Sequence, residues 1–298
     1  MQAVVIPVTP FAQNCSLVWC PRTMAGAVID PGGDLDKVLA AASKHGVQLT
    51  KILLTHAHID HAGGTAKLAR DLHLPIIGPH PGDQFWIDGI AEQGRMFGFG
   101  QCESFVPDQW LDQGDKVQVG DVEFDVQHCP GHTPGHVTFH CTADKIAFVG
   151  DVLFAGSIGR TDFPGGDYDT LIRSIREKLF TLGDDVRFVP GHGPMSTFGD
   201  ERRTNPFVGD AVVTSRRRGA AIAPSAGLVG LAASATDLDT LVDVDPAVDG
   251  HAHVARAAGS GAAVTVMLVE ARAVFARAVP ERQGRGFARQ KALALQRA

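Results

Sequence analysis

Three histidines and one carboxylate fall within six residues, His56, His58, Asp60 and His61. They directly follow the apolar run Ile52-Leu53-Leu54, which reads as a short buried strand. A neutral imidazole offers one nitrogen lone pair, and zinc, iron or manganese takes such donors readily. In an extended segment residues i and i+2 project to the same side, so His56 and His58 can grip one ion. Asp60 and His61 come later, point elsewhere and suit a second ion. A polar loop of solvated histidines is the bland alternative. Three more candidate ligands downstream, each at the end of a strand-like run, weigh against it.

The first is His132. Residues 122–127 alternate apolar and polar with period two, as a half-buried strand does. Pro130, Gly131, Pro134 and Gly135 then force a turn that presents His132. His136 and His140 sit in the following strand and read as packed or supporting groups. Cys129, three residues before His132, reads as a small buried strand residue. The second candidate is Asp151, behind the buried run Ile146-Ala147-Phe148-Val149 and Gly150. A carboxylate there can bridge two ions with its two oxygens, or it can serve as an ordinary turn or helix cap. The third is His192, between Gly191 and Gly193, which let the backbone come close to an ion.

Together, His-x-His-x-Asp-His, then Gly-His, Gly-Asp and Gly-His, each at a strand end, resemble the metallo-β-lactamase superfamily over most of residues 1–210. The resemblance implies an α/β fold, a four-layer αββα sandwich with the metals at one edge between two sheets. It implies that His56, His58 and His132 hold one ion, that Asp60, His61 and His192 hold the other, and that Asp151 bridges them. Gly150-Asp151-Val152-Leu153-Phe154, Gly159-Arg160-Thr161-Asp162-Phe163-Pro164, and the run from Pro190 to Pro194 through Glu201-Arg202 to Asn205-Pro206-Phe207 look like small bacterial glyoxalase II-like thioesterases. That subfamily implies hydrolysis of a small thioester such as S-lactoylglutathione by a metal-bridging hydroxide that Asp60 helps to orient. The cofactors implied are two divalent ions, zinc first, with iron or manganese as alternatives. Arg160 is the candidate to bind a substrate carboxylate; a salt bridge within its own loop is the other reading. Persulfide dioxygenases, which use a single iron, share Gly-Arg-Thr-Asp-Phe and the same histidines and form the alternative. True β-lactamases usually lack the Gly-Arg-x-Asp stretch.

The chain that must carry these residues has 298 positions, 44% of them hydrophobic, enough for a large core. Strands are expected near 2–8, 14–20, 25–30, 116–119, 122–128, 136–141 and 145–149, with a short one near 75–77. A helix is expected to start at Asp34 as its cap, with Leu35, Val38, Leu39 and Ala42 on one face. A second is expected over Gly64 to Leu72. A third runs from Asp167 to Leu182, with Leu171, Ile175, Leu179 and Leu182 aligned. Residues 80–112 resist assignment; Phe97, Phe99, Phe105 and Trp110 could line a substrate mouth there or simply pack. Five cysteines, without metal-type spacing, suit a reducing compartment, and the N-terminus lacks a secretory pattern, so a cytoplasmic location is expected. Oligomeric state is not legible.

The composition changes at Asp210. Residues 211–298 hold 23 Ala, 10 Arg and one Lys and carry a net charge of +4, against −10 for residues 1–210. This tail does not look like the helical glutathione-binding domain of larger glyoxalase II enzymes. A frameshifted reading of a GC-rich gene would give such a composition; an interaction tail is the functional alternative. Val264 to Val279 reads as one helix and the rest as flexible. Gly219 to Thr236 is uncharged and long enough to span a membrane, but Pro224 and several small residues leave it weakly hydrophobic, so no membrane partner is expected. The acidic body and the lack of any binding motif argue against nucleic acid. The expected partner is a small thioester.

Overall fold

A computed structural model describes residues 1–212; the readings for Gly219 to Thr236 and Val264 to Val279 lie outside the described residues. The first sheet runs in the order β1 (Gln2–Val8), β2 (Gln13–Trp19), β3 (Ala25–Ile29), β4 (Gln48–Leu53) and β5 (Ile76–Ile77). β1, β2 and β3 pair antiparallel, while β3, β4 and β5 are parallel. The second sheet draws on β6 (Lys116–Val119), β7 (Val122–His128), β8 (Val137–Cys141) and β9 (Ile146–Gly150). The small hairpin β10 (Leu153–Phe154) and β11 (Ser157–Ile158) follows β9, and β12 (Arg187–Pro190) and β13 (Ser196–Thr197) complete the sheet in the order β13-β12-β9-β8-β7-β6. β9 and β12 are its parallel pair.

Strand alternation builds three apolar layers. Val18, Ala27, Ile29 and Leu53 from the first sheet meet Val117, Phe124, Phe139, Phe148 and Val189 from the second, between the sheets. On the outer side of the first sheet, Leu17, Val28 and Ile52 pack against Val38 and Ala42 of α1 (Leu35–His45). Beyond α2 (Ile59–Ala62), α3 (Thr65–Leu72) adds Leu68 to that layer. On the outer side of the second sheet, Ala147, Val149 and Phe188 pack against Leu171, Ile175, Leu179 and Phe198. The result is the expected αββα sandwich.

Several elements differ from expectation in instructive ways. Asp34 is not a side-chain cap: it sits in the left-handed region at φ 45°, and its carboxylate accepts instead from the Thr9 backbone and Lys37. Residues 80–112, which have no long apolar period, form a single 3-10 turn at Pro81–Asp83, two short helices, α4 (Gln84–Asp88) and α5 (Ile90–Phe97), and then an irregular stretch. Asp167 does cap α6 (Tyr168–Ser174), accepting from Thr170 N at 2.8 Å. The helix then widens to a π turn over Ile175–Leu179 and tightens over Phe180–Leu182. α7 (Phe198–Thr204) ends at Asn205, its C-cap. Among the described residues no helix is long and apolar enough to cross a membrane.

Candidate metal centre

The parallel strand pairs deliver the chemistry. β3 and β4 end in Asp30 and in the Thr55–His61 segment, while β9 and β12 end in Asp151 and His192. Carboxyl ends of parallel strands open onto one edge of a sheet, where ligand sites gather. A hydrogen bond from Asn14 N to Gly191 O at 2.7 Å ties the two sheets at that edge. His132 arrives from the turn between β7 and β8. Gly191 has to be glycine: a Cβ there would lie 2.0 Å from Asp151 Oδ1 and 2.6 Å from His61 Cε1.

All seven residues singled out in the sequence come together. His56 Nε2 and His132 Nε2 lie 3.2 and 2.9 Å from His58 Nδ1. Asp60 Oδ2 lies 3.1 Å from His192 Nε2 and 3.8 Å from His61 Nε2. Each trio brings one donor atom per residue within 4.8 Å of the others. Asp151 stands between them. Its Oδ1 is 3.3 Å from His61 Nε2, and its Oδ2 is 3.6 Å from His132 Nε2 and 3.7 Å from His192 Nε2.

Supporting groups fix the rings. Thr55 Oγ1 donates to Asp30 at 2.6 Å, which leaves it to accept from His56 Nδ1 at 3.0 Å. His61 Nδ1 donates to the same Asp30 oxygen as Thr55 Oγ1, Oδ2, at 2.8 Å. His132 Nδ1 donates to the Arg160 carbonyl at 2.8 Å and His192 Nδ1 to the Phe11 carbonyl at 3.2 Å. His136 lies behind the centre: its ring stacks on His56 with centroids 4.6 Å apart, and its Nε2 accepts from Asp151 N at 3.1 Å. His140 is buried in β8 with its Nδ1 near Thr142 and takes no part. Cys129 packs in the outer core of the second sheet.

This donor set fits divalent cations. Because His56 and His132 donate from Nδ1, their Nε2 atoms are both lone pairs, and one His58 proton cannot serve both. A cation satisfies all three, and the spacing matches the roughly 3.3 Å between neighbouring donors around a tetrahedral ion with metal–nitrogen bonds of about 2.0–2.1 Å. His61 Nε2 and Asp151 Oδ1 are also buried without a hydrogen-bond partner. Burial and neighbouring imidazoles hold His56 and His58 well below the ordinary histidine range, as neutral ligation requires. Burial opposes charge on His61 too, but Asp151 and Asp60 raise it well above that range. The carboxylates thus concentrate negative charge on the His61 side, which suits the second cation.

Sequence reasoning missed several neighbours. Asp30, at the end of β3, was legible only as part of a strand terminus, although a carboxylate before Pro31-Gly32 in a strand–turn context is a signal. Trp86 and Phe163 wall the three-histidine side, with ring centroids 4.4 and 5.2 Å from His58. Phe97 and Phe99 pack against Phe11 above the His192 side, whereas Phe105 and Trp110 join the cluster around Trp86. Arg160 takes the loop salt bridge: Nε and Nη2 each lie 2.7 Å from Asp162, and the guanidinium stacks 4.1 Å above Phe163.

A sequence profile of the metallo-β-lactamase superfamily matches residues 8–192. Over 209 residues the chain is 44% identical to a hydroxyacylglutathione hydrolase, GloC, of Haemophilus influenzae, covering 70% of this chain and 98% of that protein. A solved structure of TTHA1623 in a di-iron-bound form is 39% identical over 68% of this chain and 99% of its own, with a TM-score of 0.63. BLEG-1, solved as a B3 metallo-β-lactamase, is 32% identical over 70% of this chain and 99% of its own, with a TM-score of 0.65.

Proposed function

The chain belongs to the metallo-β-lactamase superfamily, and from that premise we propose that it is a dinuclear metal-dependent hydrolase of a small thioester such as S-lactoylglutathione. One observation carries the dinuclear reading: the Asp151 carboxylate stands between two complete trios of donors, with Oδ1 toward His61 and Oδ2 toward both His132 and His192. His56, His58 and His132 would hold the first cation, and Asp60, His61 and His192 the second. When bound, such cations supply Lewis acidity and a water whose pKa falls to about 7. Zinc is the proposed metal; an all-histidine and carboxylate set also accepts iron or manganese. The catalytic unit would be residues 1–210, since every donor lies between His56 and His192.

The chain's own residues then divide the work. Asp60 orients the attacking water, and the site's donor rings are held by the Asp30, Thr55 and carbonyl contacts. Trp86 and Phe163 keep solvent from one side of the substrate. The departing thiolate needs no proton, because a thiol pKa is about 8.5. A persulfide dioxygenase would need one iron, and the 44% identity to a hydroxyacylglutathione hydrolase favours the hydrolase over it. Metal analysis and an oxygen electrode on one purified sample test the choice. Two metal equivalents and thioester turnover independent of oxygen are expected; one iron with oxygen consumption on glutathione persulfide would overturn the reading.

Arg160 is proposed to bind the substrate's carboxylate. Its pairing with Asp162 is at the surface, where such bridges contribute about 0–1 kcal/mol, so exchange for a substrate anion costs little. Replacing Arg160 with Ala is expected to raise KM for a glutathione thioester about tenfold, in line with about 1.5 kcal/mol for a charge-assisted hydrogen bond. The turnover number should stay within about threefold, because the contact serves ground state and transition state alike. Steady-state kinetics showing an unchanged KM would remove Arg160 from the substrate site.

A further inference from the structure

Asp83 is a carboxylate with no solvent exposure in a segment that carries no proposed ligand. Three donors converge on it. Ala57 N and Thr133 Oγ1 reach Oδ2 at 3.0 and 2.9 Å, and Gly135 N reaches Oδ1 at 2.6 Å. Ala57 stands between His56 and His58, and Thr133 follows His132. One carboxylate therefore joins the two loops that supply the three-histidine site. The backbone reinforces the joint: His80 N donates to Gly135 O at 3.0 Å. The same segment backs His58 from both sides, since Gln93 accepts from Ile59 N at 3.2 Å and donates to Trp86 O at 2.9 Å. Burial pushes the Asp83 carboxyl up to about 7, against the pull of its three donors. A neutral acceptor would avoid that opposition, but no neutral residue of this size offers two acceptor oxygens.

We propose that Asp83 is a positioning residue that fixes the His56–His58 loop against the His132 turn, and thereby sets the spacing of the three imidazole donors. The inference rests on that trio holding a metal ion. Asparagine cannot replace it. In either orientation of the amide, an NH2 group faces a backbone N–H, at Ala57 or at Gly135. The loops then part, and the three-histidine site loosens while the Asp60, His61 and His192 trio, built on other contacts, is spared.

The test is titration of the metal-free full chain and of Asp83→Asn with Co2+ against a competing chelator, following the visible d–d bands. In Asp83→Asn one of the two cobalt dissociation constants should rise at least tenfold with an altered band. The other should stay within threefold. Val117→Ala, a core truncation on the edge strand β6, controls for general destabilisation and should leave both constants and the spectrum unchanged. If Asp83→Asn does not fold, Thr133→Val removes one donor alone and should raise the same constant several-fold. Wild-type affinity and spectrum at both sites in a folded Asp83→Asn, or in Thr133→Val where that substitutes for it, would overturn the positioning role while leaving the metal reading intact. A wild-type chain that takes up no cobalt would overturn both.

Discussion

Asp151→Ala is expected to hold fewer than two metal ions per chain and to lose thioesterase activity by more than about 100-fold, beyond the 10–100-fold typical of losing a merely supporting partner. The carboxylate is the group that both donor trios share, with Oδ1 toward His61 and Oδ2 toward His132 and His192. Removing it leaves the imidazoles of both trios facing one another without a common anion. Burial works against the charge on this carboxylate, yet His61 and His192 hold its pKa well below the usual range. The fold should survive, because the side chain faces the donor cluster rather than the apolar layers and Asp151 N keeps its bond to His136. Metal analysis of the folded variant decides the matter. Two full equivalents with normal turnover would show that Asp151 does not bridge.

The clustering of the seven candidate donors was legible because their signal is local. A histidine cluster behind an apolar run, or a Gly-His or Gly-Asp pair closing a strand, needs no knowledge of distant chain. The sandwich was legible for a related reason: period-two alternation in 122–128 and the Leu171, Ile175 and Leu179 face each report one buried side. What stayed hidden depends on contacts across sequence. Asp83 meets Ala57 and Thr133 from a segment whose helices of three to eight residues are too short to show a period. Trp86 and Phe163 reach His58 from two separate segments further along the chain. Asp34 had the residue type and place of a cap, but the left-handed turn before α1 sends its carboxylate back to Thr9. The switch of the third helix to a π turn at Ile175 leaves its apolar face intact, so hydrophobic spacing could not reveal it.

The substrate preference should be large. The specificity constant for S-lactoylglutathione is expected to exceed that for a penicillin by at least about 1000-fold, which corresponds to about 4 kcal/mol of transition-state stabilisation. The difference begins with the leaving group. A thiolate departs unprotonated near neutral pH, whereas an amide nitrogen must gain a proton or an equivalent partner as its bond breaks. The side chains gathered at the centre are imidazoles and carboxylates that already face one another, so a proton for nitrogen has no ready source among them. Arg160 in its proposed role would add to the preference, because it stands on an exposed loop beside Phe163. The likeness to a B3 metallo-β-lactamase makes the comparison a real one rather than a formality. Both substrates should be assayed on the same metal-loaded sample, with and without oxygen. Specificity constants within tenfold of each other would place the chain with the β-lactamases by activity, and the argument from the thiolate would then fail.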